Sequence, residues 1–225
     1  EIQIEGMQRV NEQELEAYLG IELGDGILSV DLDSTAVGLC RHPWVKEAKV
    51  RRQLPHTVVA EIIEHKPSLL VALNEMYVAN HEGNLFKNVD PEDKITLPVL
   101  TGLTRGVAES ESNLMISVVR DAISFSEAYT QSSWNSQLGR IEEIAWDREL
   151  GWSLVFSLKG GPTVLHLGAE PMMRLEAAVR GLNTAIRAGH SPVEIWAGSA
   201  LRRRRVQIRL NDYFHPSREN TLIAK

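Results

Sequence analysis

From Cys40 to Leu70 the chain reads CRHPWVKEAKVRRQLPHTVVAEIIEHKPSLL, and the fold turns on this stretch. Two extended runs, Val45 to Gln53 and Thr57 to Lys66, flank Leu54-Pro55-His56. Apolar and polar residues alternate along both, and a short proline-containing turn between such runs predicts a β-hairpin with one buried face. His42-Pro43-Trp44 forms a rigid entry, and Pro67 closes the second run. Upstream, Ile2 and Ile4 alternate with polar residues before Gly6, which predicts a short strand. Asn11 followed by Glu14 is a capping box, so a helix follows with Leu15, Tyr18 and Leu19 on one face. Gly20 and Gly24-Asp25-Gly26 stop it. Asp33 is expected to cap a second helix through Leu39, with Leu32, Ala36 and Leu39 inward. The order strand, helix, helix, strand, strand makes residues 1–67 a small α+β module.

Beyond Pro67 the pattern changes to short strands and turns. Leu69 to Leu73 and Met76 to Ala79 can pair across Asn74-Glu75, and Glu82-Gly83-Asn84 turns the chain into Leu85-Phe86. Leu97-Pro98-Val99-Leu100-Thr101-Gly102 carries a proline and is expected at a sheet edge. Ser110 to Tyr129 has helical periodicity, with Leu114, Val118, Ala122 and Phe125 in one row. Ile141 to Trp146, Trp152 to Leu158 and Thr163 to Leu167 read as a meander. Pro171 suits the first position of a helix whose stripe is Met172, Leu175, Val179, Leu182 and Ile186, ended by Gly189. Val193 to Trp196 and Arg205 to Leu210 are the last two strands expected. Residues 68–212 therefore form a mainly antiparallel β domain with two packed helices, and the polar tail 213–225 is expected to be disordered. The fold class is α+β.

The 225 residues, 43% hydrophobic and 24% charged, describe an ordinary globular chain, and the net charge of −6 argues against non-specific nucleic-acid binding. No run reaches the roughly 18 apolar residues of a membrane helix. Opening directly on a strand suggests the trimmed soluble part of something longer. Cys40, the single cysteine, forms no intramolecular disulfide and is expected to be a buried spectator thiol rather than a nucleophile.

Chemistry is sparse. Glu61-Ile62-Ile63-Glu64-His65 has Glu where a zinc-protease helix needs His, and strand alternation sends Glu61 and Glu64 to opposite faces. Asp31-Leu32-Asp33-Ser34-Thr35 starts like a calcium loop, but Ala36 replaces the glycine and His42 stands at the bidentate Glu position. No phosphate loop or nucleophile elbow is present. No catalytic, cofactor or metal residue is assigned, and the chain is read as a non-enzyme. The run Arg202-Arg203-Arg204-Arg205 could touch nucleic acid or anionic lipid, but arginines leading into a strand more often guard an edge.

Gly6, Val10, Gly24-Asp25-Gly26-Ile27-Leu28, His42-Pro43-Trp44-Val45, Val50-Arg51-Arg52, Leu54-Pro55 and Glu64-His65-Lys66-Pro67 together resemble a POTRA module of the FtsQ/DivIB bacterial cell-division family. The resemblance continues through Glu82-Gly83-Asn84-Leu85-Phe86, Leu97-Pro98 to Gly102, Ile141 to Asp147, and Leu167-Gly168 with Arg174-Leu175. Two departures stand out. Asn80 replaces the usual Asp before the Glu-Gly turn, and Glu194-Ile195-Trp196-Ala197 replaces the usual Asp-Leu-Arg-Tyr strand.

The resemblance implies the extracytoplasmic part of a bitopic inner-membrane protein at the division septum, on the periplasmic side, whose membrane helix is not in this chain. It implies a scaffold that binds FtsB and FtsL, with other septal membrane proteins reaching the POTRA edge. A partner strand would add to the edge of Arg205, Val206, Gln207, Ile208, Arg209 and Leu210, with Trp196 beside it. Val206, Ile208 and Leu210 would face one side, and Gln207 and Arg209 the other, where arginine could select an acidic partner. The competing reading is a plain sheet end whose free row the tail covers. A different class of function, a POTRA chaperone of outer-membrane assembly or secretion, would call for tandem POTRA modules or a following β-barrel.

Overall fold

The computed structural model describes residues 1–21, 24, 26–158, 161–197, 206–210 and 221–224. The chain divides into two compact units, Glu1–Pro67 and Ser68–Lys225.

In the first unit the elements are β1 (Ile2–Glu5), α1 (Glu12–Leu19), α2 (Leu32–Leu39), β2 (Val45–Gln53) and β3 (Thr57–Glu64). The expected hairpin is present: β2 and β3 run antiparallel from Gln53 opposite Thr57 to Val45 opposite Glu64. β1 lies parallel on the other side of β3, giving the order β1-β3-β2. Asn11 caps α1 as expected, its side chain accepting from the Glu14 amide at 2.9 Å. The cap of α2 is Asp31, not Asp33; its carboxylate accepts from the Asp33 and Ser34 amides, each at 3.1 Å. These bonds, the Ser34 amide and hydroxyl foremost, hold the Asp31 carboxyl below its ordinary range. Both aspartates are plausible caps by residue type, and the start of the helical turn decides between them. Cys40 is exposed rather than buried, because it is the C-cap residue where α2 turns outward.

Glu64 gives the hairpin its purpose in this unit. It is 9% exposed, and its carboxylate accepts from the amides of Gln8 (2.8 Å), Arg9 (3.0 and 3.1 Å) and Val10 (3.1 Å). The last strand of the unit thus binds the turn that leads from β1 into α1, where Gly6 at φ +92° is required because a Cβ would lie 2.2 Å from the Ile62 carbonyl oxygen. Glu61, on the opposite face, pairs with Arg51 at 3.1 Å in solvent. Arg52 donates to the carbonyls of Ile27 and Val30, tying down the connection before α2. His42 is buried, with Nδ1 accepting from the Trp44 amide at 3.3 Å and its ring edge-on to Tyr18. Arg9 lies 5.0 Å over the Trp44 ring.

The second unit contains β4 (Pro67–Ala72), β5 (Met76–Asn80), β6 (Leu85–Asn88), β7 (Val99–Thr101), α3 (Arg105–Ser110), α4 (Ser112–Gln131) and α5 (Ser133–Leu138). Then follow β8 (Glu143–Asp147), β9 (Gly151–Leu158), β10 (Gly161–Gly168), α6 (Pro171–Arg187), β11 (Pro192–Ala197), β12 (Val206–Leu210) and β13 (Thr221–Ala224). One ten-stranded sheet has the order β13-β12-β11-β10-β9-β8-β7-β4-β5-β6. It is mainly antiparallel, with parallel pairings at β10–β11, β4–β7 and β7–β8. Its apolar face joins Leu69, Leu100, Ile144, Leu154, Phe156, Leu165 and Ile195 to Val118, Val119 and Ile123 of α4 and Leu175, Val179 and Leu182 of α6 in one core.

Three expectations change here. β7 is central, not an edge, because Pro98 stands just outside it: the missing N–H is not needed, while the Pro98 carbonyl accepts from the Leu70 amide at 3.0 Å. The stripe of α6 is also displaced, since Met172 and Ile186 are exposed while the small residues Ala178, Gly181 and Ala185 are buried. Within the tail expected to be disordered, Thr221–Ala224 form β13; residues 211–220 and 225 lie outside the described residues. Asn80, which stands before the Glu-Gly turn, is buried, and its amide oxygen accepts from the Glu82 and Asn84 amides at 3.0 and 3.1 Å.

Replacing Glu64 by Ala leaves three backbone N–H groups without their acceptor, and should destabilise residues 1–67 by about 3 kcal/mol in denaturant unfolding. Glu61→Ala, which removes only an exposed pair, should cost under about 1 kcal/mol in the same measurement.

Candidate partner interface

The crossover β10–α6–β11 builds the C-terminal end of the sheet. Pro171 starts α6 at a position where its missing N–H is harmless, and Gly189 at φ +81° turns the chain back toward β11. Along β10 the residues Thr163, Leu165 and Leu167 are buried, which sends Val164 and His166 to the opposite face. β11 lies parallel to β10 with Val164 opposite Glu194 and His166 opposite Trp196. β12 lies antiparallel to β11, with Trp196 opposite Gln207 and Glu194 opposite Arg209. Strand alternation therefore lines up Ser153, His166, Trp196 and Gln207 in one row and Val155, Val164, Glu194 and Arg209 in the next.

These residues interact. The His166 and Trp196 rings stack with centroids 5.1 Å apart and planes 14° from parallel. Ser153 Oγ lies 2.9 Å from His166 Nδ1. Arg209 Nη2 reaches Glu194 Oε1 at 3.3 Å across the strand pair. Burial lowers the His166 pKa below its ordinary 6.5; Glu194 opposes that shift and Arg209 reinforces it. Trp196 keeps 37% of its surface exposed. The face carries a flat aromatic platform next to a cross-strand ion pair, with Gln207 and Arg209 exposed beside it. Such a surface suits a polypeptide chain with apolar and charged side chains.

On the other side of β12, Val206 and Ile208 are buried against the helix, at 7% and 2% exposure. Gly181 makes this possible: a Cβ there would lie 2.8 Å from Val206 Cγ1. Val206, Ile208, Gln207 and Arg209 thus fall on the faces expected for them, while Arg205 and the rest of the arginine run 202–205 lie outside the described residues. The strand Val206–Leu210 is, however, not the edge of the sheet. β13 pairs antiparallel with it, from Val206 opposite Ala224 to Arg209 opposite Thr221. The free row of β12 is occupied by the chain's own tail, because an unpaired row of N–H and C=O groups takes up any strand within reach.

The remaining residues singled out in the sequence are not gathered here. Asp31, Ser34 and Thr35 line a hollow beside α1, but their polar atoms are engaged in capping α2. Among the described residues no group of three or more His, Cys, Asp or Glu side chains is placed to hold a metal ion. No described helix is long and apolar enough to cross a membrane. Sequence reasoning passed over His166 and Ser153. Their signal, alternation to the same face as Trp196, becomes usable only once the parallel register of β10 and β11 is known.

Comparison with known proteins bears on what such a surface serves. Residues 1–65 match the FtsQ-type POTRA domain, and residues 70–195 match the C-terminal domain of the cell division proteins FtsQ and DivIB. This chain belongs to the FtsQ/DivIB family of cell-division proteins. It is 32% identical over 187 residues to the cell division protein FtsQ of Anaeromyxobacter sp. (strain K), an overlap of 81% of this chain and 62% of that one. The corresponding protein of Myxococcus fulvus is 31% identical over 191 residues, or 82% of this chain and 66% of the relative. That of Geobacter sp. (strain M21) is 27% identical over 190 residues, or 83% and 69%. The chain therefore spans under two thirds of the length of the first relative and about two thirds of the other two. The FtsQ/DivIB match ends at residue 195, so Ser153, His166 and Glu194 lie within it, while Trp196, β12 and β13 lie beyond it.

Two outcomes follow from this geometry. Gly181→Val should push β12 away from α6 and lower the stability of residues 68–225 by about 2 kcal/mol in denaturant unfolding. The His166 pKa is lowered on folding, so as pH falls the unfolded chain takes up the proton first. The stability this histidine contributes is complete above about pH 6.5 and is lost as pH drops toward its folded value. His166→Gln should flatten the fall in melting temperature below pH 6.5.

Proposed function

We propose that this chain is the extracytoplasmic scaffold of an FtsQ-type division protein, acting without catalysis on the periplasmic side of the inner membrane. On this reading it recruits FtsB and FtsL at the C-terminal end of its ten-stranded sheet by strand addition, and other septal membrane proteins approach the POTRA edge. Family membership supports the division role. The observation that carries the location is the exposed face of Trp196, Gln207 and Arg209 on β11 and β12, next to the sheet's last strand β13.

Strand addition supplies affinity through backbone bonds and selects partners by alternate side chains. Here one side of the added strand would continue the core row of Val206 and Ile208. The other would lie beside Gln207 and Arg209, where an acidic partner residue gains a charge-assisted bond. Trp196, held flat by His166, offers a large rigid contact of the kind that dominates interface energetics. The alternative of an assembly chaperone has no observation in its favour, since the POTRA unit is followed by a domain of the FtsQ/DivIB type.

Trp196→Ala and Arg209→Glu test this on the surface, without touching the core. Each should weaken binding of a co-purified FtsB–FtsL pair, by about 30-fold for the tryptophan, while the variants still unfold cooperatively from a folded state at the binding temperature. Affinities within twofold of the parent chain for both variants would exclude this surface as the binding site.

A further inference from the structure

The occupied row of β12 points to a further property, which rests on the partner reading above. We propose that the C-terminal segment Thr221–Ala224 is an exchangeable internal occupant of the row that a partner strand uses, so that recruitment requires its displacement.

Three features of the fold support exchange rather than permanent closure. Among the described residues β13 has four residues and one neighbouring strand, whereas β12 is held on its other side by β11 and beneath by α6. A short strand with one neighbour near a chain end opens at little cost in free energy. Next, ten residues separate Leu210 from Thr221, far more than the two to five of a tight hairpin. A connection of that length is not a hairpin turn that would dictate the register of β13 by itself, and a strand whose register is not set by a tight turn is readily replaced by a better one. Finally, the tail is a mediocre match to the row. It sets Thr221 opposite Arg209 and Ile223 opposite Gln207, neutral residues where β12 exposes a cation and an amide. By register it sets Leu222 opposite Ile208 and Ala224 opposite Val206. By residue type, the tail therefore has apolar residues at the register positions of Ile208 and Val206 and no acidic residue at that of Arg209.

Tethering explains how so weak an occupant can still hold the row. A short connection gives an attached segment an effective concentration in the millimolar range. A free partner at lower concentration therefore competes at a disadvantage equal to the fraction of time the row is open. The partner that wins is an extended segment with apolar residues opposite Ile208 and Val206 and an acidic residue opposite Arg209. The tail then acts as a filter, protecting the edge from indiscriminate pairing while remaining displaceable by that pattern.

The test uses the full chain and the double variant Leu222→Pro with Ile223→Pro, which removes two N–H donors from β13. Amide hydrogen exchange of those residues in Val206 to Leu210 whose N–H groups face β13 should be slow in the parent and at least tenfold faster in the variant, while the amides bonded to β11 stay protected. Two synthetic peptides serve as probes: residues 217–225 of this chain, and the same peptide with Thr221→Glu. Both should bind the variant about tenfold or more tightly than the parent, which corresponds to a row open about one-tenth of the time. The glutamate peptide should be the tighter of the two. Cutting the parent at a protease site placed within residues 211–220 should give the same gain by abolishing the tether. Equal exchange in parent and variant, or peptide affinities within twofold of each other, would overturn the proposal. FtsB–FtsL binding that is equal for parent and variant would also overturn it, leaving the partner assignment standing. Peptide capture by the variant, with FtsB–FtsL bound by neither form, would uphold the exchangeable row and remove the partner assignment instead.

Discussion

Backbone N–H and C=O groups along the last strand of a sheet must find partners, and the second unit depends on how its C-terminal end meets that constraint. Among the described residues, the ten strands of this open sheet leave two edges, at β6 and at β13. At the C-terminal edge, four of the described residues, Thr221–Ala224, cover β12. β12 itself is well seated, because Gly181 lets α6 approach closely enough to bury Val206 and Ile208. The result is a firm strand with a light cover. A strand that was itself loosely packed would lose its shape whenever the cover left, and could not serve as a template for pairing.

The crossover that seats β12 also orders the opposite face. Because β10 and β11 are parallel, His166 and Trp196 stand side by side and stack, while Val164 and Glu194 occupy the next row. Burying one face of these strands against α6 therefore fixes what the other face presents. The lowered His166 pKa belongs to this packing, as the Trp196 ring and the sheet displace water from the imidazole. The first unit uses a related device, in which buried Glu64 gathers three backbone amides and so holds the β1–α1 turn onto the hairpin.

The hairpin, the Asn11 cap, the meander and the two long helices were all legible because each rests on local pattern: alternation, capping chemistry, or periodicity over many residues. The failures share a different origin. Pro98 suggested an edge, but whether a proline harms a strand depends on which residue begins the ladder, and Val99 does. The stripe of α6 looked as though it ran from Met172 to Ile186, since hydropathy gives little weight to Ala178, Gly181 and Ala185. Those small residues are buried because the sheet comes close. Asp31 and Asp33 differ by half a turn, below what residue type can resolve. Cys40 was misread for a similar reason, since a helix end can point outward or inward without any change in its neighbours.

The edge is the most instructive case. Val206 to Leu210 was correctly read as a strand with Gln207 and Arg209 outward, yet its standing as an edge depended on a tail whose composition is polar. Four residues carry almost no periodic signal, and their pairing with β12 is set by the partner row rather than by their own preference. The same argument explains why such a tail can be replaced. What places Thr221–Ala224 on β12 is the unsatisfied backbone of that strand, and any extended chain supplies the same backbone. Discrimination must therefore come from side chains at alternate positions, where Arg209 and the Trp196 platform lie next to the row and Ile208 lies beneath it. A tail with threonine opposite the arginine satisfies the backbone and leaves that discrimination unused.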